Sequence, residues 1–536
     1  MMATDVEIPR PAGLARREAR LFWSHWSAEA WASVVVGVLF VAATCWWLSR
    51  DHSIPVYDAG LHLGSAIDAY RALSMGHLLN AFTESTPYPP LTYLVGALGI
   101  FVGGVDVAPP IIAQDVIFVT LLALGCYNVG RLAFGRLAGL LAVVFALGSP
   151  LIIEESHEFM LDAPEAAMVA VAVWAILATE RFSRPRVSAL AGIAVGLGML
   201  SKETFVFFVA GVALVTAMRG GRQAWRGITV FAALALVIAL PWYLYELSTI
   251  HGLANEALGS SGQLSSLKIF PGTAPPRLST ANLEWYFWSV LNWQLFLPLF
   301  SFSVVGWIWT MAGFARRRPV SGFAPELAAG ALISWAALTE TYIHDVRYAI
   351  PLTVYLAVFG AGWITRLPSK PRTATAILLL LIALANSLGV GYGIGPPVAT
   401  APSNATYEQQ PGRVTLYANY GLWVGPPTRD GDLLGLLRAL RRNGVQAVRW
   451  YSEREDEIEF SFPGITVLAQ IADLEVLSEN IDPFRSSRHY AFLRHGEPEP
   501  GLPTPCIVLG DGAGVWVHLG GTRGVKTWSY CPLRFS

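Results

Sequence analysis

A series of long apolar runs, separated by short polar connections, constrains the fold of this chain more than any other feature. The long runs approach the roughly 20 apolar residues that an α-helix needs to cross the hydrocarbon core of a bilayer. Only 14% of the 536 residues are charged and 54% are hydrophobic, whereas soluble domains average about 25% charged residues. The sequence therefore predicts a polytopic α-helical membrane protein and excludes an ordinary soluble enzyme, a disordered chain and a disulfide-dense mini-protein.

The apolar runs predict eleven clear membrane spans, and one further segment leaves the total at eleven to thirteen. The first run, 31–48, follows four arginines and precedes no small-residue cleavage site, so we interpret it as a signal anchor. The short segment 89–104 is interpreted as a re-entrant or interfacial helix. The other ten runs are 109–130, 137–153, 161–179, 187–200, 204–218, 227–247, 286–314, 325–341, 347–365 and 374–395.

Arginine-rich connections alternate along the chain with connections that lack arginine. By the positive-inside rule, the arginine-rich connections lie in the cytoplasm. They are 131–136, 181–186, 219–226, 316–318 and 366–372. This parity predicts a cytoplasmic N-terminal segment over 1–27, a membrane domain over 28–396 and an extracytoplasmic domain over 397–536. It also places the loops 50–88 and 248–284 on the outer side of the membrane. That membrane is expected to be the cell or inner membrane.

The C-terminal region is more polar and reads as a small α/β domain, large enough for its own core. Apolar alternation predicts strands over 414–424, 445–451 and 465–471, and helical spacing predicts a helix over 432–442. Cys506 and Cys531 lie in this region, where they can form a disulfide if the domain is outside the cell.

Acidic residues and histidines of the membrane half collect at the predicted outward ends of spans. Charges buried in membrane segments are costly unless they are paired or hydrated, so their collection on one side indicates one outward-facing cavity. The five clusters are 57–62, 88–91, 154–164, 201–203 and 342–348.

Three of these charged residues also have structural interpretations that the sequence leaves open, whereas a fourth, Arg347, favours a functional one. Asp58 can be a solvated loop residue or a helix cap, and Asp162, just before Ala163-Pro164, suits a cap. Lys202 can extend its ammonium to the membrane interface. Arg347 lies outside against the charge rule, which favours a specific partner.

In their order, these motifs resemble the GT-C fold glycosyltransferases of the protein O-mannosyltransferase and aminoarabinose transferase type. The resemblance covers roughly residues 28–365. Two positions depart from the family pattern, since Ala59 stands where Glu commonly follows the first Asp, and Glu203 stands where a small residue is usual. The motifs that carry the resemblance are Asp58, Tyr88-Pro89-Pro90-Leu91, Leu161-Asp162-Ala163-Pro164, Leu200-Ser201-Lys202 and Arg347-Tyr348-Ala349-Ile350-Pro351.

The resemblance implies a membrane glycosyltransferase that moves a sugar from a polyprenyl-phosphate donor to an acceptor hydroxyl of a lipid, glycan or protein on the outer face of the membrane. Asp58 is the expected base and Asp162 a second catalytic carboxylate, with Lys202 and Arg347 binding the donor phosphate. Single displacement inverts the anomeric carbon, and a retaining route through Asp162 stays open. Further candidates for substrate binding are Tyr57, His62, Tyr88, His157, Glu203, Tyr342, His344 and Tyr348.

Other partners and functions are weighed on the same residues. A divalent metal is an open possibility, with Glu154, His157 and Glu158 as candidate ligands at loose spacing. A net charge of −1 offers no basic field for nucleic acid. The alternative function is a sugar-lipid transporter or flippase, although charges at span ends and the absence of paired halves favour the transferase. A receptor with a partner-binding tail leaves the acidic clusters without a purpose. The loop 248–284 is either a gate or a plain connector.

Overall fold

The computed structural model of the protein describes most of the chain. The described residues are 27–55, 57–83, 88–248, 279–317, 320–340, 344–395, 414–418, 432–452, 462–477, 490–497, 504–509, 513–520 and 531. Residues 1–26 of the predicted N-terminal segment, Tyr342 and most of the loop 248–284 lie outside these ranges.

The membrane half is built from helices, most of which lie within the apolar runs of the sequence. They are α1 Ala28–Leu48, α2 Tyr57–Ser74, α3 Leu78–Thr83, α4 Leu91–Gly103, α5 Ala108–Phe134, α6 Arg136–Leu147, α7 Pro150–Glu155, α8 Asp162–Ala178, α9 Pro185–Met199, α10 Phe205–Gly220, α11 Trp225–Tyr245, α12 Thr280–Ser289, α13 Phe296–Ala315, α14 Ala324–Glu340, α15 Thr353–Gly362 and α16 Ser369–Tyr392. Short 3₁₀ segments occupy Gly221–Ala224, Val346–Leu352 and Trp363–Arg366, and a π-helical segment occupies Val290–Leu295.

Six helical segments of the described residues are long and apolar enough to cross a membrane. They cover 28–48, 108–134, 205–245, 280–315, 346–366 and 369–392, and three shorter apolar helices, α4, α6 and α9, accompany them. The segment 205–245 contains two helices joined by one 3₁₀ turn. The chain is therefore an integral membrane protein with the helical architecture expected from its sequence, and the number of crossings stays a prediction.

The outward loop predicted over 50–88 contains two helices, α2 and α3. Helix α2 is amphipathic rather than uniformly apolar, with Leu63, Ala66 and Ile67 fully buried and Asp68 exposed. A buried stripe at this spacing indicates a helix that lies on the membrane domain. Asp58 is therefore not a loop residue, because it lies in the first turn of α2.

The C-terminal region forms an α/β domain around a five-stranded sheet. Its elements are α17 Leu433–Arg442, β1 Ala447–Ser452, α18 Phe462–Ile471, β2 Glu475–Val476, β3 Tyr490–Gly496, β4 Ile507–Val508 and β5 Gly514–Gly520. The strand order is β2-β1-β3-β5-β4, with β1 parallel to β2 and β3 and the remaining pairs antiparallel. Cys506 and Cys531 form a disulfide in this domain.

Two predicted strands of this domain are corrected by the structure. The segment 465–471 belongs to α18 and is not a strand. The prediction was wrong because an apolar run of this length suits a strand and a buried helix equally well. Residues 414–418, the described part of 414–424, form no strand. They pack on the membrane domain instead, where the Thr415 amide donates to Asn292 Oδ1 at 2.8 Å and the Leu297 amide donates to Thr415 O at 2.8 Å.

Candidate active site

Arg347 is held by two carboxylates at the start of the Val346–Leu352 turn. Its Nη2 donates to Asp345 Oδ2 at 2.7 Å and to Asp58 Oδ2 at 2.9 Å. Its Nε lies 3.2 Å from both oxygens of Asp345, whose Oδ1 also accepts the Arg347 amide at 2.9 Å. Asp345 thus begins the turn and orients the guanidinium, while Asp58 meets it from α2.

The pKa of Asp345 is the balance of opposing effects. Burial acts to raise it, but the charge and hydrogen bonds of Arg347 outweigh burial and leave the pKa of Asp345 below its usual value. The Asp345 carboxylate is therefore charged at neutral pH and stays paired with the guanidinium.

A second ion pair joins Lys202 to Asp162. Lys202 Nζ lies 2.5 Å from Asp162 Oδ1, and the two side chains are only 6% and 4% exposed. Burial alone would lower the pKa of Lys202, but Asp162 and then Glu165 outweigh this effect and hold the pKa well above the usual value for lysine. The ammonium also lies 4.7 Å from the centre of the Tyr348 ring, within reach of a cation–π interaction. Lys202 is thus a buried, permanently charged group.

Backbone contact brings the Tyr88-Pro89-Pro90-Leu91 motif to the Lys202 turn. The Leu91 amide donates to Leu200 O at 2.9 Å. Burial raises the pKa of Tyr88 to about 12, with the nearby charges of Glu203, Lys202, Asp58 and Arg347 adding smaller effects of both signs. Tyr88 therefore keeps its hydroxyl proton at neutral pH.

His62 is on the same helix as Asp58 and lies one turn further along. Its Nδ1 is 2.9 Å from the Tyr93 hydroxyl, and its ring meets the Tyr88 ring edge-on at 5.2 Å. Burial lowers the pKa of His62 to about 4, which keeps the ring neutral at pH 7. The charges of Asp58, Lys202, Arg347 and Asp162 all act on His62, so the two ion pairs share one neighbourhood.

The other predicted substrate-binding residues have different surroundings. Tyr348 and Glu203 lie beside Lys202, and burial raises the pKa of Glu203. His157 stacks flat on Trp47 at 4.1 Å, and His344 packs against Trp285 and Tyr286. Tyr57 is exposed at the start of α2. Tyr342 lies outside the described residues.

The candidate metal ligands do not assemble into a site. Within the described ranges, no group of three or more His, Cys, Asp and Glu side chains is placed to hold a metal ion. The His157 ring faces the indole of Trp47, whereas Glu158 lies within the electrostatic influence of Arg347 and Asp58. His157 and Glu158 therefore have different surroundings.

Two residues that hold the site together were not predicted as site residues. Asp345 precedes Arg347 by two positions, and a short Asp-x-Arg spacing that allows the carboxylate to accept the arginine amide was the available signal. Glu165 lies one turn after Asp162, and its Oε1 accepts from the Thr204 hydroxyl at 2.7 Å. This bond ties α8 to the turn that carries Lys202.

Comparisons with known proteins identify the fold of this chain. Residues 87–245 match the family described as dolichyl-phosphate-mannose-protein mannosyltransferase. The chain is also similar to the crystal structure of ArnT from Cupriavidus metallidurans bound to undecaprenyl phosphate, with 16% identity and a TM-score of 0.53 over 92% of this chain and 98% of that one. This chain has the GT-C glycosyltransferase fold.

A second structure of the same ArnT, in the apo state, gives 14% identity and a TM-score of 0.53 over 90% of this chain and 97% of that one. No curated protein sequence matches this one. The family match includes Tyr88, Asp162 and Lys202, while Asp58 and Arg347 lie on either side of it. The fold-level likeness covers 92% of this chain, and the contact between Asp58 and Arg347 is observed in this chain's own structure.

Proposed function

We propose that this protein is a membrane glycosyltransferase that moves a sugar from a polyprenyl phosphate to an acceptor hydroxyl. The observation that carries the proposal is a pair of cations: Lys202 is buried, Arg347 is 16% exposed, and the ring of Tyr348, the residue after Arg347, lies 4.7 Å from the Lys202 ammonium. Two fixed cations suit a leaving group that is already a phosphate, since they stabilise its negative charge as the glycosidic bond breaks. The likeness to an ArnT bound to undecaprenyl phosphate supports the same class of donor.

The two carboxylates take different roles in this proposal. Asp58 shares one hydrogen bond with Arg347 and its side chain is 32% exposed, whereas Asp162 is 4% exposed beside Lys202. Asp58 can therefore reach an incoming acceptor, and Asp162 holds Lys202 in place. This difference favours a single displacement, because a retaining route needs a second accessible carboxylate as nucleophile.

The chemical step is then a direct substitution at the anomeric carbon. The donor phosphate binds Arg347 and Lys202 and replaces Asp58 as a partner of the guanidinium. The oxygen of the acceptor hydroxyl attacks the anomeric carbon, and Asp58 accepts the proton of that hydroxyl during the attack. The bond from that carbon to the phosphate oxygen breaks, its electron pair stays on the phosphate, and the configuration inverts.

We further propose that the site and the C-terminal domain face the outside and that the N-terminus is cytoplasmic. The arginine distribution supports this orientation, and the Cys506–Cys531 disulfide suits an oxidising compartment. Fusions of alkaline phosphatase and green fluorescent protein to the C-terminus test it. We expect the phosphatase fusion to be active and the green fluorescent protein fusion to be non-fluorescent. An inactive phosphatase with a fluorescent partner fusion would overturn the orientation.

A turnover assay on the purified protein in lipid tests the activity. A panel of polyprenyl-phosphate sugars is offered with a membrane extract as the source of acceptor, and free polyprenyl phosphate is measured by mass spectrometry. Release by the wild type and not by Asp58→Asn is expected. The proposal would give way to a flippase function if the protein binds the donor without releasing free polyprenyl phosphate and moves a labelled donor lipid between the leaflets of a vesicle.

A further inference from the structure

Helix α18 of the C-terminal domain crosses α2 at two glycines, Gly60 and Gly464. A Cβ atom on Gly60 would lie 2.7 Å from the backbone nitrogen and 2.8 Å from the Cα of Gly464. A Cβ atom on Gly464 would in turn clash with the carbonyl oxygen of Pro55. Because the blocking atoms belong to the backbone, neither position accepts a side chain unless α18 moves away from α2 and from the residues that precede it.

Side chains on the same two helices hold this crossing in register. Gln470 Nε2 donates to Asp68 Oδ1 at 2.7 Å, and Arg71 Nη2 donates to Gln470 O at 3.3 Å. Buried apolar residues of both helices, including Leu63 and Leu468, belong to one continuous core. The C-terminal domain is thus packed on α2 along several turns.

A second part of the membrane half, the connection between α4 and α5, contacts the same domain. Arg438 Nη2 on α17 lies 3.0 Å from Asp106 Oδ2, between α4 and α5. This ion pair is partly exposed and adds little energy by itself, but it sets the domain against the membrane half at a second point. The orientation of α18 on α2 is therefore defined by contacts on two sides.

We infer that Gly464 and Gly60 are positioning residues for Asp58, so that the C-terminal domain forms part of the catalytic apparatus. The inference rests on the proposed function. Gly60 follows Asp58 by two residues and Pro55 precedes it by three. Helix α18 therefore contacts the chain both before and after Asp58 in the sequence. A shift of this turn changes the 2.9 Å contact between Asp58 and Arg347, and misplacement by about 1 Å can cost about 10²-fold in rate.

The chain offers a matched set of variants. Gly464→Ala and Gly60→Ala force the helices apart, whereas Gly64→Ala, one turn along α2, places its Cβ 3.6 Å from Gln470 Oε1, an ordinary contact. Alanine is the better helix former, so loss of helix does not explain a defect. Gly464→Ala is expected to lower kcat about 10- to 100-fold with the affinity for undecaprenyl phosphate within about twofold of wild type. Gly64→Ala is expected to match the wild type in both.

Hydrogen exchange over α2 gives a readout that does not depend on activity. Faster exchange across Tyr57–Ser74 is expected in Gly464→Ala and not in Gly64→Ala. Equal kcat values for Gly464→Ala and Gly64→Ala, or unchanged exchange in Gly464→Ala, would overturn the inference. If the wild type releases no polyprenyl phosphate from any donor, the proposed function fails, and the exchange comparison still decides whether α18 holds α2.

A gentler variant covers the case in which Gly464→Ala does not fold. Gln470→Ala removes the hydrogen bond to Asp68 without any clash. A few-fold lower kcat with faster exchange in α2 is expected if α18 positions Asp58. The positioning role would be overturned if Gly464→Ala does not fold and Gln470→Ala has the kcat and the α2 hydrogen exchange of the wild type. The glycine contact would then be only a packing requirement.

Discussion

Arg347 binds Asp58 across 289 residues of sequence, through a single 2.9 Å hydrogen bond from Nη2. The same guanidinium is bound to Asp345 through both Nε and Nη2. The two carboxylates are therefore not equivalent, since Asp345 is fixed by its own turn and Asp58 reaches in from another helix. We therefore expect an anion that enters beside Arg347 to displace Asp58 more easily than Asp345 and so to free the proposed base.

Replacement of Asp58 by Asn is expected to reduce transfer by about 10²–10⁴-fold, because the amide cannot accept the acceptor's proton. The fold should persist, since Arg347 keeps Asp345 as a partner. Polyprenyl phosphate release measured by mass spectrometry checks the rate. Asp473→Asn is the control, because its ion pair with Arg441 is exposed and such pairs contribute little. Turnover by Asp58→Asn at the level of this control would remove Asp58 from the mechanism.

The Lys202–Asp162 pair predicts an effect on stability as well as on activity. Lys202→Met leaves Asp162 buried and unpaired, which costs about 3–5 kcal/mol, and the unfolding temperature should fall. Adding Asp162→Asn removes the stranded charge and should recover much of that loss. Both proteins should lack turnover, because the donor phosphate has lost a cation. Thermal unfolding in detergent separates these expectations, and an equally low unfolding temperature for the single and double variants would contradict the pairing.

Glu158 predicts a pH dependence of stability. Burial raises its pKa in the folded protein to about 7 from the usual 4.5, with Arg347 acting in the opposite direction. Between these values the folded state binds more protons than the unfolded state, so Glu158 destabilises the fold increasingly as the pH rises from about 4.5 to 7. Relative to wild type, Glu158→Gln should therefore be more stable at pH 8 than at pH 5.

Thermal unfolding at the two pH values measures this difference. Glu180→Gln is the control, because Glu180 is exposed and pairs with Arg184 on the surface. An unfolding-temperature difference between Glu158→Gln and wild type that is the same at pH 5 and pH 8 would show that Glu158 does not titrate as described.

The disulfide predicts a stability change confined to reducing conditions. Cys506 and Cys531 are 25 residues apart, and opening a loop of this size costs about 3–4 kcal/mol in the chain-entropy model. Reduction should therefore increase protease cleavage of the C-terminal domain. The double variant Cys506→Ser, Cys531→Ser should show the increased cleavage without reductant and no further change with it. A response of the double variant to reductant would assign the effect to another site.

Several features could be predicted from the sequence because they depend on neighbouring residues. Apolar runs of the required length identified most helices of the membrane half, although α2 and α3 lie in a predicted loop, and a helix was expected where Leu433–Arg442 forms one. The motifs around Asp58, Asp162, Lys202 and Arg347 were recognisable because carboxylates and cations in apolar surroundings need a reason to be there. The ordered motifs also indicated the GT-C fold.

Other features depended on the tertiary structure, for equally physical reasons. Apolar residues over 465–471 suit a strand or a buried helix, and packing against α2 selects the helix. Residues 414–418 have an alternating pattern, but their hydrogen bonds go to Asn292 and Leu297 rather than to a strand. In both cases local periodicity was insufficient, because the partner surface comes from a distant part of the chain.

The sequence by itself determined that this protein is a helical membrane protein whose charged groups gather in a few motifs, since hydrophobicity and charge are properties of each residue. Only the tertiary structure decided that Arg347 pairs with Asp58 and Asp345, that Lys202 pairs with Asp162, and that Gly60 meets Gly464. Such pairings depend on which helices lie side by side, and that is settled by packing over the whole chain rather than by any local pattern.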